Sequence, residues 1–210
     1  MNDKPLRIAL TGKLRSGKSS IARALEYHYG FHIISFGDAL KRVADKLFEG
    51  SPHYQFEPIE INCPFSEGGK TTAGYRKPRK LYQDVGSALR ALDENVWVRQ
   101  VEKAMRVWEN MKDVKGIVND DLRQPNEYEW ARSNGFIIIR VNASDDVRLA
   151  RARKAGDVFS EEDLRHETES HVDKFVVDYE IQNDIDNKAE LDRKVDEIMG
   201  EILKEREWPY

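Results

Sequence analysis

Along the chain, short apolar runs alternate with stretches whose apolar residues recur at helical spacing. Leu6 to Thr11 (LRIALT), His32 to Phe36 (HIISF), Gly116 to Asp120 (GIVND), Phe136 to Val141 (FIIIRV) and Tyr179 to Gln182 read as strands. The unbroken FIIIRV run suits a strand covered on both faces. Between them the spacing predicts helices over Ser20 to Tyr29, Asp38 to Phe48, Arg79 to Leu92, Val96 to Met111 and Asn126 to Ser133. In the first, Ile21, Ala24, Leu25 and His28 share a face and Gly30 supplies the stop. Ser144 caps a helix carrying Arg148, Arg151 and Arg153, and Ser160-Glu161-Glu162-Asp163 fits a capping box that starts another. A last amphipathic helix opens at Asn187, with Leu191, Val195, Ile198, Met199 and Ile202 on its buried side. This alternation predicts an α/β fold: a central five-stranded parallel sheet with crossover helices on both faces.

From about Glu49 to Pro78 the pattern breaks. Four prolines (Pro52, Pro58, Pro64, Pro78) and the Gly68-Gly69 pair leave few periodic apolar positions. Structureless segments this long are uncommon and often functional, so residues 49–80 are expected to form a substrate-side insertion or flap on a single domain spanning 1–210. The chain shows no internal repeat and no low-complexity tract.

Composition then excludes several classes. The 210 residues are 40% hydrophobic, enough for a buried core. No apolar run approaches the ~18 residues of a membrane span. The opening MNDKPLRIALTG lacks the segments of a signal peptide, and the single cysteine, Cys63, cannot form an internal disulfide. A cytoplasmic setting without a membrane partner is expected. The balance of 34 basic against 38 acidic side chains gives a net charge of −4, so no overall basic field is available to hold long nucleic acid.

The strongest chemical signal is Gly12-Lys13-Leu14-Arg15-Ser16-Gly17-Lys18-Ser19, which fits G-x-x-x-x-G-K-[ST] between a strand and a helix. Glycines let the backbone curl so that successive N–H groups point at phosphate oxygens, and the helix N-terminus adds partial positive charge. Gly12, Lys13, Arg15, Ser16, Gly17, Lys18, Ser19 and Ser20 are therefore expected to cradle the phosphates of ATP. Lys18 would reach the β- and γ-phosphates, and the Ser19 hydroxyl would bind Mg²⁺. Together these features predict a P-loop NTPase three-layer fold.

An acidic partner should stand at a strand's carboxyl end, and Asp120 and Asp121 are side by side there. Because successive strand residues point to opposite faces, one of the two is expected to face the site. Arg15, Arg90, Arg123 and Arg151 or Arg153 are the candidate phosphate-neutralising cations. The run Arg151 to Lys154, followed by Ala155-Gly156-Asp157, suggests a lid over residues 151–162. The histidines lack metal-ligand spacing, Cys63 lacks a nucleophile signature, and Trp97 and Trp108 read as core anchors. Tyr75-Arg76-Lys77-Pro78-Arg79-Lys80 reads as a local phosphate clamp or a solvated hinge. No general base stands out beyond the strand aspartates. A phosphomonoester, whose second pKa lies near ~6, is already an anionic nucleophile and needs none.

Several segments resemble the deoxynucleoside monophosphate kinases of tailed phages and their bacterial relatives. They are Ser35-Phe36-Gly37-Asp38-Ala39-Leu40-Lys41, then Leu81-Tyr82-Gln83-Asp84-Val85-Gly86-Ser87-Ala88-Leu89-Arg90 with Trp97 beyond, and Asp121-Leu122-Arg123-Gln124-Pro125-Asn126-Glu127. With the phosphate loop they span residues 6 to 142. The tail is similar too, in His166-Glu167-Thr168-Glu169 and Asp178-Tyr179-Glu180-Ile181-Gln182-Asn183. Thr168 stands where the family usually has serine, and the 49–78 segment has no matching counterpart. Animal-type phosphomevalonate kinase shares the D-x-R and D-x-x-I-x-N elements.

The resemblance implies a kinase moving the γ-phosphoryl of Mg·ATP to a (deoxy)nucleoside 5′-monophosphate, in host cytoplasm if phage-encoded. It implies Asp121 on the metal side, and Arg90 and Arg123 on the acceptor or transferring phosphate. Asp38, Lys41 and Gln83 would lie beside the acceptor, and Asn183 beside the adenine. Lys18, Arg123, Asp121, Arg15 and Arg151 would form the catalytic set. Two alternatives stay open: a non-nucleotide phosphoester acceptor such as phosphomevalonate or dephospho-coenzyme A, and an ATP-binding switch with no acceptor. Oligomeric state is also open, a homodimer included.

Overall fold

The computed structural model describes residues 5–51, 57–62, 71–76, 79–112, 114–155 and 171–205, with backbone alone at 57–62, 71–76 and 79. In chain order the elements are β1 (Leu6–Thr11), α1 (Lys18–Tyr29), β2 (Phe31–Ile34), α2 (Phe36–Phe48), β3 (Glu57–Asn62), β4 (Thr71–Arg76) and α3 (Arg79–Leu92). There follow α4 (Val96–Glu109), β5 (Gly116–Leu122), α5 (Pro125–Ser133), β6 (Ile137–Asn142), α6 (Asp145–Lys154), β7 (Tyr179–Gln182) and α7 (Lys188–Glu205). Five parallel strands form the main sheet in the order β2-β5-β1-β6-β7.

Strand alternation divides the core in two. Leu6, Ile8 and Leu10 of β1, with Ile139 and Val141 of β6, pack with Ile21 and Leu25 of α1 and Leu191, Val195, Met199 and Ile202 of α7. On the other face Ala9, Ile117 and Ile138 meet Ala39 of α2, Trp97, Val98, Val101 and Met105 of α4, and Trp130 and Ala131 of α5. The sheet is thus covered on both sides, and its central strands read as continuous apolar runs for that reason. Ile8 and Ile138 are fully buried; truncating either to alanine is expected to cost ~2–5 kcal/mol.

Two expectations are revised. His32 to Phe36 is not all strand: β2 ends at Ile34 and Phe36 opens α2, because the Asp121 carboxylate accepts the Phe36 and Gly37 N–H groups (2.8 Å each) and so caps the helix from outside it. Within the 49–80 stretch the described residues include two strands. These, β3 and β4, pair antiparallel from Glu57↔Arg76 to Asn62↔Thr71. Pro58 is tolerated there because every strand of a two-stranded ribbon is an edge. The lid beyond Ala155, the capping box at Ser160, His166 to Glu169, His53 and Cys63 lie outside the described residues. Among the described residues no helix is long and apolar enough to cross a membrane.

Candidate active site

The phosphate loop joins β1 to α1 at the carboxyl end of the sheet. Gly12 (φ 139°), Arg15 (φ 61°) and Gly17 (φ 108°) have left-handed backbone, which gives the loop its curl. Glycine is required twice for space as well. A Cβ on Gly12 would stand 2.3 Å from the Val141 carbonyl oxygen, and one on Gly17 would stand 2.1 Å from Asn183 Nδ2. Lys18 is buried, and its Nζ donates to the carbonyls of Gly12 (2.6 Å) and Lys13 (2.9 Å), which hold the cation across the mouth of the loop. Ser16 Oγ is buried without a hydrogen-bond partner. Ser20 is exposed and its N–H donates to Gly17 O (3.0 Å) in the first turn of α1, while Lys13 Nζ pairs with Asp173 (2.9 Å).

Asp120 and Asp121 both face the site, contrary to the alternation expected. Ala9 pairs with Asn119 and Thr11 with Leu122, so Leu10 alone opposes the two aspartates. A bulge of this kind re-aims side chains and is common beside active sites. Asp120 accepts the Ser19 hydroxyl at Oδ2 (3.2 Å) and the Ser35 hydroxyl at Oδ1. Asp121 caps α2 instead, and its own N–H donates to Asn119 Oδ1 (3.3 Å). The carboxylate on the loop serine is thus that of Asp120, where the resemblance implied Asp121 for the metal side. Ser19 Oγ and Asp120 Oδ2 make a hard oxygen pair suited to Mg²⁺, which ordinarily keeps several waters and substrate phosphate oxygens as its other ligands. Among the described residues no group of three or more His, Cys, Asp or Glu side chains could hold a metal ion.

Asp121 also lines a cleft of ≈ 90 Å³ with Phe36, Gly37, Leu40, Arg90, Trp97, Arg123, Gln124 and Glu127. That is well below the ~300 Å³ of an ordinary small-molecule pocket and gives room for one anionic group. Arg90 Nε in its wall is buried without a hydrogen-bond partner. Burial, then the Asp120 charge, push the Asp121 carboxyl up to about 6. Burial, then the Asp121 charge, push Glu127 up to about 7, against the opposing pull of two backbone N–H groups and Arg90. Those N–H groups belong to Arg123 and Gln124, both donating to Glu127 Oε2 at 2.9 Å. Gln124 and Glu127 form a reciprocal capping box with Pro125 at the helix start. Asn126 reaches across to Glu94 O (3.0 Å) and Asn95 Oδ1 (3.1 Å), tying the start of α5 to the turn between α3 and α4.

The other expected residues divide. Lys41 lies at the cleft's edge, its Nζ 3.2 Å from the exposed Asp38 and 3.8 Å from the Cβ position of Gly37. Gln83 is exposed, two helical turns from Arg90 on α3, and outside the cleft lining. Arg151 is not extended over the loop as a lid residue would be. It donates to Asp186 Oδ1 (2.7 Å) and Asn183 O (3.0 Å), with longer contacts to Arg15 O and Ser16 O. Asn183 Nδ2 in turn donates to Ser16 O (2.7 Å). The pair braces the back of the phosphate loop, and Arg148 joins it through Leu14 O (2.8 Å). Ser35, Arg148, Asn119 and Glu127 had no assigned role from sequence. Glu127 lay within a quoted motif, but its cap partner is Gln124 rather than the usual Ser or Thr.

Residues 8–170 match a family model described as an AAA domain. No curated protein matches the chain. Among solved structures, TT1252 from Thermus thermophilus is similar with a TM-score of 0.53 at 18% identity, covering 94% of this chain and 98% of that one. Dephospho-CoA kinase from Campylobacter jejuni gives 0.52 at 16%, covering 95% and 98%. Shikimate kinase from Acinetobacter baumannii, in complex with shikimate, gives 0.50 at 14%, covering 94% of each. At these identities the likeness is one of fold, and the fold is that of P-loop kinases.

Proposed function

The chain belongs to the AAA domain family, and from that premise we propose that it is a kinase transferring the γ-phosphoryl of ATP to a (deoxy)nucleoside 5′-monophosphate, giving the diphosphate. The observation that carries the reading is the continuity of donor and acceptor sites. The loop serine meets Asp120, and the next residue, Asp121, lines a cleft walled by Arg90 and Arg123. ATP supplies the phosphoryl group; Ser19 and Asp120 would hold Mg²⁺, which would supply charge neutralisation at the phosphate oxygens. Lys18 and the loop amides hold the donor phosphates. Arg90 and Arg123 orient the acceptor's phosphate, with Lys41 at the rim. Arg15, whose left-handed backbone sits mid-loop, neutralises charge developing on the transferring group. Arg151 and Asn183 act indirectly, by holding the loop's shape. Catalysis is positioning plus electrostatics, and an anionic acceptor requires no base.

A second reading keeps the transfer and changes the acceptor to a non-nucleotide phosphoester; the fold shared with a dephospho-CoA kinase is the observation that favours it. Thermal stabilisation and ADP release with Mg·ATP separate the readings. The test panel is the ribo- and deoxyribonucleoside monophosphates with dephospho-CoA and phosphomevalonate. The proposed reading expects one or a few monophosphates to stabilise the protein and to raise ADP release above hydrolysis. Release only with a non-nucleotide acceptor selects the second reading. Stabilisation by Mg·ATP alone, with no acceptor raising ADP release, marks a switch and overturns both.

A further inference from the structure

Among the cleft residues, Glu127 has no task in the transfer just described. It is 5% exposed, yet it stands in the wall of an anion-sized cleft. Its Oε2 holds two amides of its own helix start, and the residue lines the cleft. Charges of both signs surround it. From β5 comes Asp121 and from α3 Arg90; the turn before α5 brings Arg123 and Gln124. α2 contributes Phe36, Gly37 and Leu40, with Asp38 and Lys41 at the rim, and α4 contributes Trp97. Arg90 keeps one buried, unpartnered N–H, so it has hydrogen-bonding capacity to give to a ligand.

We propose that Glu127 is the resident counter-charge of the cleft, yielding Arg90 and Arg123 to the acceptor's phosphate dianion and taking up one proton as the acceptor binds. The inference rests on the acceptor reading given above. Its physical cause is like-charge exclusion: a carboxylate and a dianion sharing a poorly solvated cleft cannot all remain ionised cheaply. The proton comes from solvent and adds to the carboxylate; no bond of the acceptor changes. Once neutral, the Glu127 acid still accepts the two backbone N–H groups and gains an O–H donor for a phosphate oxygen. Acceptor affinity then has two opposed pH dependences. It rises as the monophosphate loses its second proton near ~6, and it falls as solvent protons become scarce above pH 7.

The test is calorimetric titration of the wild-type protein with dAMP, dGMP, dCMP and dTMP in two buffers of different ionisation enthalpy. Wild type should take up as much as ~0.5 proton per site at pH 7, relative to Glu127→Gln. Its Kd should rise toward tenfold per pH unit above pH 7. E127Q retains an oxygen for both amides, so it should bind about as tightly as wild type at pH 6 and more tightly at pH 8. Weaker binding by E127Q at both pH values would mark a purely structural residue and overturn the proposal. So would a wild-type Kd that stays level from pH 7 to 8.5, a result that needs no variant. If none of the four nucleotides binds, the acceptor reading falls and this inference with it, whereas binding without proton uptake overturns this inference alone.

Discussion

Of the two adjacent aspartates at the end of β5, Asp120 touches Ser19 and Ser35, while Asp121 holds the first amides of α2. Removing each should therefore have a different cost. Asp120→Ala is expected to lower turnover ~100-fold or more with little change in Tm, since it deletes an electrostatic contact of the reacting groups. Asp121→Ala uncaps a helix and should cost ~1–2 kcal/mol of stability, read by thermal unfolding alongside steady-state kinetics. The reverse pattern would return the metal side to Asp121. Glu127 bears on stability as well. Its carboxyl is held above its unfolded value, up to about 7. The folded state thus binds the extra proton: this stabilisation is complete below about 4.5 and is lost as pH rises through about 7. E127Q should lose less Tm than wild type between pH 5 and 8. Which aspartate does what was not legible in the sequence, because strict alternation allowed one facing residue. The bulge that turns both inward depends on pairing with Leu10, a contact between distant segments.

At the scale of elements, the order of strands and helices was legible because the central strands are buried on both faces and read as unbroken apolar runs. The β3–β4 ribbon was not. Its strands are six residues each, and proline and glycine lie in and between them. The brace behind the phosphate loop was half legible: Arg151 and Asn183 stood out as site residues, but as ligands rather than supports. Their contacts cross from α6 and the end of β7 to the loop, more than 130 residues away in sequence. If support is their role, Asn183→Ala and Arg151→Ala should raise the KM for ATP by roughly tenfold while leaving the acceptor KM unchanged. A fall in kcat with both KM values intact would instead put Arg151 on the transferring phosphoryl group. Gly17→Ala should be worse than either. It adds a left-handed alanine to a direct clash with Asn183, so deleting the Asn183 side chain would rescue it only in part.

For the molecule as a whole, a near-balanced charge hides a local concentration. Lys18, Arg15, Arg90 and Arg123 gather around one end of the sheet, and Asp120, Asp121 and Glu127 are interleaved with them. The interleaving would suit the proposed site, which holds a triphosphate and an anionic acceptor without collapsing onto its own charges. That the site lies at the carboxyl ends of β1 and β5 follows from the fold; the proposal of a phosphate-bearing acceptor rests on the arginines of the cleft. The most direct measurement is the fate of label from ATP marked in its γ-phosphoryl, incubated with Mg²⁺ and each nucleoside monophosphate and resolved by chromatography. Label is expected to leave ATP and appear in the nucleoside diphosphate of one or a few acceptors, with Arg123→Ala suppressing the transfer while ATP still binds. Label recovered only as inorganic phosphate, or retained in ATP with every acceptor, would contradict the proposed transfer.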